Sequence, residues 1–148
     1  MNRSMTWMKR LWIVLIAGVA IELSRGYFTP RLEALPIAAD GWSRESQTAF
    51  DPVPPEIELW PETSHAAKAW KATYRGVAPV TLTLFALPWS PGSAWDAIQR
   101  WCPAPGSRAF AKGRYFGVVE SPGADQETLK RFIDNVLAGL PAGAETVR

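Results

Sequence analysis

The spacing of apolar and polar positions changes character several times along this chain. Arg3, Lys9 and Arg10 precede Leu11–Ile21, eleven residues without a charge. A basic stretch ahead of an apolar one is the layout of a signal peptide or signal anchor, with the positive flank kept cytoplasmic. The expectation is therefore an N-terminal membrane helix, with contact to the inner membrane through residues 11–28. Lys9 and Arg10 would snorkel at one interface, and Tyr27 and Phe28 would sit at the other. That places the protein as single-pass in the inner (cytoplasmic) membrane with its C-terminal domain extracytoplasmic. Cleavage after Gly18-Val19-Ala20 would instead release it to the periplasm.

Beyond this segment, Pro30, Pro36, Pro52, Pro54 and Pro55 leave no room for a long helix. Within this stretch Trp42, next to the flexible Gly41, reads as a hydrophobic plug over the domain. From Glu56 the period becomes two. Ile57 and Leu59 suggest a short strand. Trp70, Ala72 and Tyr74 alternate with Lys71, Thr73 and Arg75, as in a strand with one wet face. Val80 to Leu87 is apolar on one face and mixed on the other, which suits a central strand. Ser93 is the expected cap of a helix with Ala94, Ile98 and Trp101 on one side. Arg108–Ala111 and Arg114–Glu120 form a hairpin through Lys112-Gly113. From an Asp125 cap, Leu129, Phe132, Ile133, Val136, Leu137 and Leu140 fall on the single stripe of an amphipathic helix.

This order predicts an α+β fold: an antiparallel sheet of four to five strands with two helices packed on one face, preceded by the membrane helix. The expected organisation is a signal anchor or signal peptide over 1–28, a Pro-rich irregular lead-in over 29–55, one domain over 56–141, and a loose tail over 142–148.

Composition narrows the function classes. Of the 148 residues, 47% are hydrophobic and 20% charged, enough apolar matter for a core and too much for wholesale disorder. The net charge of +2 belongs to the first 28 residues, because beyond them 12 bases face 13 acids. A near-neutral body without a basic run offers little counterion release, so no nucleic-acid partner is expected. The lone Cys102 excludes an internal disulfide.

Val80 to Leu87, the Ser-Pro-x-x-Ala phrase from Ser90 to Ala94 and the Lys-Gly-x-Tyr phrase from Lys112 to Tyr115 resemble a group of uncharacterised bacterial secreted or membrane-anchored domains. The apolar segment followed by Leu35-Pro36 and Gly41-Trp42 is similar to the opening of exosortase-associated exported proteins. This resemblance implies an envelope or export setting. Neither likeness carries a catalytic residue onto this chain.

Chemistry is sparse. His65 and Cys102 lack metal-ligand spacing, and neither a phosphate loop nor a nucleophile elbow is present. Glu56, Glu58 and Glu62 read as a solvated edge rather than a carboxylate pair. No catalytic residue, cofactor or metal is assigned. The eight Trp are the compositional oddity. Trp60, Trp89 and Trp95 lie near strand ends and the first body helix, where aromatic rings give large contact area for few frozen torsions. Arg108, Lys112 and Arg114 flank the hairpin and are candidates for an anionic group. The expected function is a membrane-tethered extracytoplasmic accessory or interaction domain of a bacterial envelope or export system, non-enzymatic, with an envelope protein as partner. The alternative is a periplasmic glycan- or lipid-binding domain using the Trp residues.

Overall fold

The computed structural model describes residues 8, 10–20, 35–57, 66–88 and 93–148, and the chain divides into two units, Met1–Arg31 and Leu32–Arg148. In the first unit, residues 10–20 form a helix, α1, that is exposed on every side. Among the described residues no helix is long and apolar enough to cross a membrane. This corrects the expected membrane helix and the single-pass placement drawn from it. The described stretch 10–20 reaches about 16 Å, roughly half of a bilayer's hydrocarbon.

The second unit contains β1 (Ala38–Ala39), β2 (Trp42–Phe50), β3 (Lys68–Gly76), β4 (Val80–Ala86), α2 (Ser93–Arg100), β5 (Ser107–Lys112), β6 (Tyr115–Glu120), α3 (Gln126–Gly139) and β7 (Glu145–Val147). The strands form one antiparallel sheet in the order β1-β2-β3-β4-β6-β5-β7, curled into a half-barrel. Helix α3 lies within the curl, packing against β1 at one edge and against β5 beside the other.

The register explains the two-sided core. Trp70, Leu84, Gly117 and Phe110 form one cross-strand row on the α3 face. Ala69, Phe85, Phe116 and Ala111 form the neighbouring row, whose side chains point the other way, towards α2. At Gly117 a Cβ would run into the ring of Phe110, so this ring packs directly over the backbone of the paired strand. Under α3, Phe132 meets Trp42 edge-on at 5.3 Å between ring centres, and Tyr74 at 5.0 Å. The Asp125 carboxylate accepts from the Thr128 N–H at 2.7 Å and caps the helix as its sequence predicts.

Two further expectations about the sheet are corrected. It has seven strands rather than four to five, because the Pro-rich lead-in and the C-terminal tail both contribute. The turn at Gly41, with φ of 82°, joins β1 to β2, and β7 pairs with β5. The helices lie on opposite faces rather than on one: β4 and β6 carry large apolar side chains on both sides, so each face needs a cover. The short strand expected at Ile57 is instead one 3-10 turn, Pro55–Ile57. Leu59 lies outside the described residues.

Candidate interaction surface

Helix α2 is the element that holds an aromatic side chain rigidly in solvent. Its inner side chains, Ala94, Ala97 and Ile98, are buried in the layer formed by Phe85, Phe116 and Ala109. The next turn is closed by Trp101, whose N–H donates to the Ala97 carbonyl at 3.0 Å and whose ring is buried in the same layer. One guanidinium nitrogen of Arg148 donates to the carbonyls of Ile98 at 3.1 Å and Gln99 at 2.5 Å. These are carbonyls that a helix end leaves without an intrahelical partner. Arg148 is itself fixed, exchanging two backbone hydrogen bonds with Ala109. On this braced helix Trp95 is 53% exposed, and Gln99, four residues on, shares its side. The helix thus turns small residues and Ile98 inward and its largest ring outward, the reverse of what burial alone would select.

The other candidates divide by position. Trp60 and Trp89 lie outside the described residues, as does His65. Trp70 and Trp101 are core residues. Arg108 donates to the Gln126 carbonyl at 3.3 Å, at the start of α3. Lys112 donates to the Leu137 carbonyl at 2.7 Å near the end of α3, and its ammonium pairs with Glu145 at 2.7 Å. Eleven helical residues separate those two carbonyls, roughly 16 Å along the axis. Arg114 donates to the Leu87 carbonyl at 3.1 Å, and Leu87 N–H donates back to the Arg114 carbonyl at 2.9 Å. The hairpin bases therefore brace three different places. Arg114 holds the chain at Leu87, two residues before Trp89 in the sequence.

A polar surface lies on the α2 side of the sheet, over β2, β3, β4 and the end of β6. Ser46, Thr73, Thr81 and Glu120 occupy one cross-strand row, with Ser46 and Thr73 hydroxyls 2.6 Å apart. Arg75 pairs with Glu45 at 2.7 Å on its margin. The signal for it was present in the threonines of β3 and β4. Its partner strand β2 gives no such sign, since only Trp42 in it is buried. Among the described residues no group of three or more His, Cys, Asp or Glu is placed to hold a metal ion, and Cys102 is exposed.

The chain matches no family model, no curated protein and no solved structure.

Proposed function

We propose that the body of this protein is a non-enzymatic interaction domain that presents α2 to a protein partner. The observation that carries the reading is Trp95, a half-exposed indole on a helix anchored by both its buried side and the Arg148 guanidinium. A rigid aromatic contact loses little entropy on binding, and such residues dominate interface energetics. The half-barrel interior supports a surface rather than a lumen as the place of contact, since α3 fills it with Phe132, Ile133 and Val136, all fully buried. The likeness of the opening residues to exosortase-associated proteins agrees with an accessory role in an envelope or export system.

The test places a photo-reactive amino acid at position 95, at position 99 on the same side, and at Lys71 on the sheet as a control. Irradiation in the producing cell is expected to give one adduct of the same size from 95 and 99 and none from 71. Trp95→Ala should abolish the adduct from 99 while lowering stability by no more than about 1 kcal/mol, as for an exposed side chain. Adducts shared by all three positions, or absent from 95 and 99, would refute α2 as the contact.

A further inference from the structure

The helix α1 belongs to its own unit and does not resemble a surface helix in either composition or exposure. Leu11, Trp12, Ile13, Val14, Leu15, Ile16 and Val19 are 49 to 71% exposed. At 100° per residue these positions cover every side of the helix, and no charge interrupts residues 11–20. A helix that docks into a protein groove or pairs with a second copy needs one apolar stripe and keeps a polar back. Apolarity on all sides suits an occupant that surrounds the helix, and hydrocarbon is such an occupant. The charges point the same way. Arg10 directly precedes the apolar run, after Arg3 and Lys9 in the sequence. Beside anionic headgroups this placement is favourable.

We propose that α1 is a lipid-contacting element that enters one leaflet from the surface without crossing the bilayer. Its described residues 10–20 reach about 16 Å, roughly the distance from the surface to the bilayer midplane. Arg10 lies against the phosphates, and Trp12, the second residue of the apolar run, enters just below them. The proposal is independent of the role given to α2.

Flotation of the full chain with vesicles of mixed phosphatidylcholine and phosphatidylglycerol tests it. The full chain is expected to float. Ile13→Asp with Ile16→Asp puts carboxylates on two sides of α1 and should lower the bound fraction at least about tenfold, given the cost of a charge in hydrocarbon. The melt of the body should be unchanged in that variant, which separates lost lipid contact from lost folding. Arg10→Glu should weaken binding several-fold on the mixed vesicles and leave it unaltered on phosphatidylcholine alone. Lipids brominated on the acyl chain should quench tryptophan fluorescence in the full chain, and Trp12→Phe should remove most of that quenching. A protease added outside the vesicles should remove an N-terminal tag. Failure to float, self-association through α1 in place of flotation, or a tag sheltered inside the vesicle would each overturn the proposal.

Discussion

Tyr74 shows how a single side chain joins the sheet, the lead-in and the pH response. It is buried beside Phe132, and its hydroxyl donates to the Pro36 carbonyl at 3.0 Å. Burial pushes the phenol up to about 12 from 10.0, while the positive charge of Arg44 pulls weakly the other way. Below pH 10 both folded and unfolded chains keep the proton, so this group makes stability independent of pH there. Between about 10 and 12 the unfolded chain releases it and the folded chain does not, so stability falls as pH rises. Denaturant unfolding of wild type and Tyr74→Phe at pH 8 and near pH 12 should show the wild-type advantage shrinking by roughly 2–3 kcal/mol. An unchanged gap would mean that the phenol is not desolvated. At this scale local chemistry was legible and long-range chemistry was not. The Asp125 cap and the α3 stripe depend on residues within a few turns and appear as read. Lys112 reads as a hairpin base open to an anionic group, yet its ammonium donates to the carbonyl of Leu137, 25 residues away, and no spacing rule reaches that far.

Elements with at least one apolar face are legible, and elements without one are not. The β5–β6 hairpin, β3, β4 and α3 all announce themselves by period, because one set of their side chains enters a core. β2 reads Trp-Ser-Arg-Glu-Ser-Gln-Thr-Ala-Phe, with little beyond Trp42 fully buried. It has a register shift between Arg44 and Ser46, which breaks what alternation remains. What holds it is hydrogen bonding to β3 and to side chains: Gln47 accepts from the Leu35 N–H at 2.8 Å and from Arg44 at 2.7 Å. β7 is three residues long and was read as tail, yet Glu145 pairs with Lys112 and Arg148 caps α2. Removing residues 145–148 therefore strips the outer edge of β5, an ion pair with one largely buried partner, and the end of α2 together. Its expected cost is about 2–4 kcal/mol, the range for a broken buried network. Hydrogen exchange should show lost protection at the α2 amides before the α3 amides. Equal protection in both helices, with an unchanged melt, would show that β7 is not an anchor.

At the scale of the body, the question is whether two core layers make one folding unit or two. The sheet lies between them and is shared: Leu82 and Leu84 of β4 enter the α3 layer, while Phe85 enters the α2 layer. β6 does the same with Val119 and Phe116. A strand cannot leave one layer without leaving the other, so the layers should unfold together. The one-faced arrangement expected from element order hid this coupling. Sequence order does not say on which side of a sheet a helix returns; the doubly apolar pattern of β4 was the available sign. Phe132→Ala should cost about 3–5 kcal/mol and Ile98→Ala about 2–5 kcal/mol, as buried large-to-small changes do. Residues 1–31 form a separate unit, so a chain shortened to residues 32–148 should melt cooperatively at nearly the temperature of the full chain. In that shortened chain, hydrogen exchange should show each variant lowering protection in β4 and in both helices by the same free energy, the signature of a single cooperative unit. Protection lost only in α3 for Phe132→Ala and only in α2 for Ile98→Ala would show two independently opening layers. In that event α2, with Trp95 on its surface, would be a mobile cover rather than a rigid platform.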